Sequence, residues 1–184
     1  MRVAQRDWAD PLDTSFAQRQ GGRWNPPNSW PTLYLNRDLD TARAQIARLL
    51  ARTPITPDDL ADDAYELLAV TLPTADSADI VDIVSHEGVT AADLPATFPH
   101  DAAGKLIPHP ICQHIAQRAH QSGANGIEAR SALAAISPSA TSELAWWPGS
   151  RRATQIGGRV PYGEWRSPNV LDLSVLFPAT LSEA

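Results

Sequence analysis

Cys112 is the only cysteine in the chain, so no intrachain disulfide can form and the sequence reads as intracellular. No run comes near the roughly 18 consecutive apolar residues that cross a bilayer. The opening stretch, residues 1–8, carries Arg2, Arg6 and Asp7 where a secretory leader would have an apolar core. These two absences make the cytoplasm the expected location. Basic residues are also in deficit: 15 Lys and Arg against 21 Asp and Glu leave a net charge of −6. That excludes a surface built mainly to hold nucleic acid, although a local Arg cluster can survive in an acidic protein. Neither a Walker loop nor the glycine fingerprint of a dinucleotide fold is present. The five histidines (His86, His100, His109, His114 and His120) lack metal-ligand spacing and a completing carboxylate or thiol cluster, so no metal is expected.

What the chain does contain is ordinary globular material. With 184 residues, 43% hydrophobic and 20% charged, it is expected to form one compact domain spanning 1–184. Sixteen prolines divide it into short elements. Residues 1–31, rich in Arg, Asp, Gly and Pro, read as irregular. Strands are expected over 31–35, 65–72, 80–84, 127–129, 144–147 and 170–176. Asn36 or Asp38 can cap a helix whose Leu39, Ala42, Ile46, Leu49 and Leu50 share a face, with Pro54 ending it. Helix starts are expected at Thr56-Pro57 and at Thr90, and a longer helix from Pro110 to about Gln121, stopped by Gly123. Short strands mixed with a few helices indicate an α+β fold rather than regular βαβ alternation. Trp146 and Trp147, followed by Arg151 and Arg152, could suggest single-stranded nucleic acid, but a packed Trp pair at a strand end fits the acidic balance better.

The most informative run is Gly21-Gly22-Arg23-Trp24-Asn25-Pro26-Pro27. Paired glycines let backbone approach a ligand closely, and the Arg that follows offers a planar fork of donors to a phosphate or carboxylate. By itself such a turn is more often a loop with a solvated Arg. The order that follows it is more specific: a short gap, Leu33-Tyr34-Leu35, then an amphipathic helix carrying Ala42-Arg43-Ala44-Gln45. This order resembles the opening of the RES domains, toxins of bacterial toxin–antitoxin pairs. Arg23 and Tyr34 match the family outright. A later block, with a helix around Cys112, the turn 123–126 and the strand before Ser131, resembles the part of the family that delivers a conserved Ser. Arg2 corresponds to an N-terminal Arg of the family, with Arg6 as its competitor. Residues 133–184 match no motif.

The resemblance implies an ADP-ribosyltransferase-like mixed sheet core with flanking helices and a reaction that splits NAD⁺ at the nicotinamide–ribose bond. NAD⁺ would be the substrate, with no further cofactor. Arg23, with Arg2, would neutralise the diphosphate. Tyr34 would lie on or beside the nicotinamide ring. Ser131 would supply a hydroxyl to the same ring system. The family places a Glu where this chain has Gln45; that carboxylate would hold a ribose hydroxyl and stabilise the oxocarbenium charge. Gln is nearly isosteric with Glu but carries no charge and is no general base. The chain is therefore expected to be a weakened or inactivated form, either a disarmed variant or a natural member with altered activity. The alternatives are transfer of ADP-ribose to a protein and a non-catalytic module that binds NAD⁺ or an antitoxin. The resemblance also implies a protein partner, an Xre-like antitoxin that covers the cleft and supplies any contact to DNA, in a hetero-oligomer or alongside a homodimer.

Overall fold

The computed structural model describes residues 1–73, 79–134, 137, 139, 141–170 and 176–177. Among the described residues seven strands form two sheets. Strands β1 (Arg2–Gln5), β3 (Tyr65–Thr71) and β7 (Thr154–Pro161) make an antiparallel sheet in the order β1-β3-β7. Strands β2 (Leu33–Asn36), β6 (Ser142–Trp146), β5 (Gly126–Arg130) and β4 (Ile80–Ile83) make a mixed sheet in the order β2-β6-β5-β4. Only its β4–β5 pair is parallel. The expected α+β class is what the chain adopts.

The mixed sheet has two differently used faces, because strand side chains alternate. Leu33, Leu35, Leu144 and Trp146 are buried on one face, with Val70, Leu72 and Ile80 packed against them. On the other, the cross-strand partners Tyr34, Ala145, Ile127 and Val81 form one row, and Asn36, Glu143, Ala129 and Ile83 form the next. That second face packs against α4 (His109–Gln121) through Cys112, Ile115, Ala116 and Ala119, closing a core that includes Trp24, Phe98 and Trp147. The expected packing role of the Trp pair holds: Trp146 and Trp147 are both buried, one on each face. The row of Asn36 and Glu143 places polar side chains at the rim of an otherwise apolar face.

Helix α2 (Leu39–Leu50) packs on the β1-β3-β7 sheet. Its Leu39, Ala42, Ile46 and Leu50 pack with Val3, Leu67, Val160, Tyr162 and Trp165 of the β1-β3-β7 side, each large aliphatic side chain contributing about 1.5–3 kcal/mol by burial. Ala44, on a different side of the helix, packs against Leu133. Asp38 is the N-cap: its Oδ1 accepts from Thr41 N at 2.6 Å, and Oδ2 accepts from Thr141 N at 3.1 Å, tying the helix start to the entry of β6. Arg43 anchors a later segment by donating to the carbonyls of Trp165, Ser167 and Val170.

Several local expectations need correction. Residues 1–31 are not wholly irregular: they contain β1 and a short helix, α1 (Ser15–Gln20). Strand β1 was missed because four residues with two buried positions give too short an alternation to read. Leu49 leaves the buried face of α2 and is 53% exposed, since it sits at the edge of the 100° stripe where the helix has nothing to cover it. Thr90 lies in the last turn of α3 (His86–Ala91) rather than opening a helix, because Ser85 caps Gly88 N one turn upstream. The start at Thr56 yields only a single 3₁₀ turn (Pro57–Asp59), held by a capping box between Thr56 and Asp59. Strand β7 was not anticipated; its Gly157 has φ +66° and sits where the β3 register shifts between Leu68 and Ala69. A short helix, α5 (Tyr162–Trp165), follows it. Of the strand expected over 170–176, residues 171–175 lie outside the described residues.

Candidate active site

The loop that opens the site is built around Tyr34. Its hydroxyl accepts from Trp24 N at 2.9 Å and donates to Asn25 Oδ1 at 2.8 Å. The loop closes on itself through Gly22 N to Asn25 O, 2.9 Å, and Gln113 Nε2 of α4 donates to Gly22 O at 2.8 Å. Gly22 is required here for a steric reason. A Cβ on it would stand 2.4 Å from the Tyr34 hydroxyl oxygen. Gly21 is required for a conformational one, with φ +73°. The paired glycines thus serve the packing of loop against Tyr34, in addition to whatever ligand approaches.

Burial pushes the Tyr34 hydroxyl well above the ordinary phenol range, against the hydrogen bond from Trp24 N. Glu143 pushes it further up and Arg23 opposes, so the tyrosine lies within the field of both charges. Arg23 is half-buried; its Nη1 donates to Ile107 O at 3.1 Å and to Cys112 Sγ at 3.2 Å, while Nε and Nη2 have no partner among the described residues. Burial raises the Cys112 thiol above its usual value, with Arg23 opposing. His109, at the start of α4, is pulled below the ordinary imidazole value by burial and by the cations Arg23 and Arg48. His109 therefore lies within the field of Arg23, from the loop, and of Arg48, from α2. Neither Arg48 nor His109 in this role was legible in the sequence.

The other residues singled out from sequence lie around the rim of the same sheet face. Gln45 accepts from Asn36 Nδ2 at 2.8 Å. Asn36 is the direct cross-strand partner of Glu143, which places their Cβ atoms about 5 Å apart on one face. Ser131 is fully buried; its Oγ donates to Glu143 Oε1 at 2.6 Å and accepts from Leu133 N at 3.0 Å. Gln45, Asn36, Glu143 and Ser131 thus form one continuous polar edge beside Tyr34. Arg2 meets the backbone of β2: its Nη1 donates to Tyr34 O at 2.9 Å, its Nε to Pro11 O at 3.3 Å, and its guanidinium lies 5.6 Å from the Trp8 ring centre. Burial lowers the Arg2 guanidinium to about 10, with Asp13 opposing. A cavity of about 230 Å³ lies on the opposite face of the sheet, between Leu35, Arg37, Val70 and Glu128, away from this edge.

Two members of the edge, Asn36 and Glu143, were not anticipated. Asn36 entered the sequence reading only as a possible helix cap, a role Asp38 fills. A signal for Glu143 existed, however. It alternates with Ala145 and Trp147, both buried, and a carboxylate on the apolar register of a strand calls for an explanation.

A mixed α+β fold, with a glycine-rich Arg loop locked onto a strand tyrosine and a polar edge beside it, defines the class of protein. The RES domain family model matches residues 1–162, and the chain belongs to that family. Among characterised relatives, the NAD(+) phosphorylase MbcT of Mycobacterium tuberculosis, and that of Mycobacterium bovis, is 28% identical over 80 residues, 44% of this chain and 43% of the relative. The match thus spans less than half the length of these relatives. The crystal structure of the M. tuberculosis MbcT–MbcA toxin–antitoxin complex contains a similar fold, with a TM-score of 0.60 at 21% identity, covering 90% of this chain and 86% of that one. Among the described residues no helix is long and apolar enough to cross a membrane.

Proposed function

We propose that the chain is a toxin of a toxin–antitoxin pair that cleaves NAD⁺ at the nicotinamide–ribose bond, passing the ADP-ribosyl group to water or phosphate. The observation that carries the reading is the half-buried Arg23 fork, with Nε and Nη2 unengaged among the described residues, set beside Tyr34 and the polar edge. Family membership and the phosphorylase activity in the name of MbcT support it. In this reading Arg23 takes the diphosphate, with Arg48 adding positive field and Arg2 holding the tyrosine strand from behind. Tyr34 presents its ring to the nicotinamide, its hydroxyl being spent on the loop. The edge from Gln45 to Ser131 faces the ribose.

The amide at position 45 weakens the reaction relative to a carboxylate there. Loss of one charge aimed at the transition state costs about 3–4 kcal/mol, or several hundredfold in rate. Asn36 already presents an amide N–H to Oε1 of residue 45, so Gln45→Glu has a waiting donor and should raise turnover much more than affinity. Gln45 also favours a second reading, a module that binds NAD⁺ or an antitoxin without turnover. Nicotinamide release by the purified chain, with and without phosphate, separates the two. An antitoxin of the Xre-like class is proposed as the partner that covers this site; the MbcT–MbcA complex supports a protein partner.

A further inference from the structure

We infer that Glu143 is the carboxylate of this site, a catalytic residue that supplies from β6 the charge which Gln45 cannot supply from α2. The inference rests on the NAD⁺-cleavage reading above and names the group that does the electrostatic work in it. Four observations lead there. Glu143 lies on the face that carries Tyr34 and Asn36, because it pairs directly with Asn36 and is two residues from Ala145, the partner of Tyr34. It is half-exposed, so a ligand can reach it. Its Oε1 is fixed by the buried Ser131 hydroxyl at 2.6 Å, while Oε2 has no hydrogen-bond or ion-pair partner among the described residues. Its charge is felt at the Tyr34 hydroxyl, where Arg23 acts in the opposite sense. Asp38, two residues beyond Asn36, cannot serve: both its oxygens are committed to Thr41 and Thr141 as the cap of α2.

The arrangement assigns Ser131 a different role from a direct ribose contact. A fully buried hydroxyl that accepts from Leu133 N and donates to Glu143 is a positioning residue, holding one carboxylate oxygen so that the other points at the substrate. In the reaction the bond between ribose C1′ and the nicotinamide nitrogen breaks, and its electron pair leaves on nicotinamide, which becomes neutral. The positive charge left on the ribose is what Glu143 stabilises. A water oxygen then bonds to C1′ and its proton passes to Glu143 and on to solvent; with phosphate as acceptor, a phosphate oxygen bonds instead.

The test compares nicotinamide release by four purified proteins: the unchanged chain, Glu143→Gln, Gln45→Glu and the double variant. Thermal unfolding of each, in the presence and absence of NAD⁺, reports folding and binding. Glu143→Gln is expected to lower kcat about a hundredfold or more with KM little changed. Gln45→Glu in the same background should restore part of that loss, since it returns a carboxylate to the same edge. A purely structural Glu143 would not produce that split or that rescue. Turnover by Glu143→Gln within threefold of the unchanged chain overturns the inference. So does an unchanged chain that is inert while Gln45→Glu is active, an outcome that leaves the NAD⁺-cleavage reading standing. If all four fold and bind NAD⁺ yet release no nicotinamide, that reading fails and the inference with it.

Discussion

Replacing Gly22 by Ala probes whether the loop is built on Tyr34. The added methyl would stand 2.4 Å from the Tyr34 hydroxyl oxygen, 2.8 Å from Cζ and 2.9 Å from Cε2. All three distances are far inside contact, so either the ring or the loop must move. Movement of the ring breaks its bonds to Trp24 N and Asn25 Oδ1, each contributing about 1 kcal/mol, and shifts an aromatic packed against the α4 core. Overpacking of this kind adds about 1–3 kcal/mol, for a combined loss of roughly 3–5 kcal/mol, a large share of a stability of about 5–15 kcal/mol. Urea unfolding followed by tryptophan fluorescence measures it, since Trp24 is buried beside the loop. Gly158→Ala is the control: its Cβ meets nothing within 4 Å, so it should be neutral or slightly stabilising. Tyr34→Phe removes the 2.4 Å contact but leaves the ring carbons, so the double variant Gly22→Ala/Tyr34→Phe should lose less than the sum of the two single changes. A Gly22→Ala protein as stable as Gly158→Ala would refute the reasoning.

Arg23→Ala should weaken NAD⁺ binding far more than folding, because a charge-assisted diphosphate contact outweighs the carbonyl and thiol contacts it makes in the free chain; calorimetric titration and melting temperature compare the two, and equal losses contradict it. Asp38→Ala should cost about 1–2 kcal/mol as a lost helix cap, read by denaturant unfolding. Burial alone would raise the Asp38 carboxyl, but the hydrogen bonds from Thr141 and Thr41 hold it below the usual value. Its contribution is therefore present above the unfolded carboxyl range, near pH 4, and is lost as pH falls through the lower folded value, so Asp38→Ala should flatten the acid limb of a stability–pH curve. The isolated chain, acidic overall, should show no tight salt-sensitive DNA binding by fluorescence anisotropy, and binding that appears only with an antitoxin fits the partner proposed above.

The parts of the site that sequence made legible are those whose reasons are local. The 21–27 run announces a tight loop through its glycines, Tyr34 ends a short apolar strand, and the 38–50 segment carries both a cap and a helical stripe. Ser131 was found through its likeness to a family block, although its full burial could not be foreseen. Asn36 and Glu143 escaped because their meaning is cross-strand: β2 and β6 are more than a hundred positions apart, and only their register places the two side by side. Arg48 and His109 escaped for the same kind of reason, since the fields of Arg23 and Arg48 reach His109 only once α2, α4 and the loop are packed. Strand β7 was hidden by Gly157 and Gly158, which interrupt alternation at the bulge, where Gly157 has a positive φ.

The measurement that bears most directly on the account is nicotinamide release from NAD⁺ by the purified chain and by Gln45→Glu at equal concentration, with phosphate present and absent. Both proteins are expected to release nicotinamide, the Gln45→Glu form on the order of a hundredfold faster in kcat at similar NAD⁺ affinity. Two folded, NAD⁺-binding proteins that leave the nucleotide intact would contradict the account, and the site would then be one that binds without turnover.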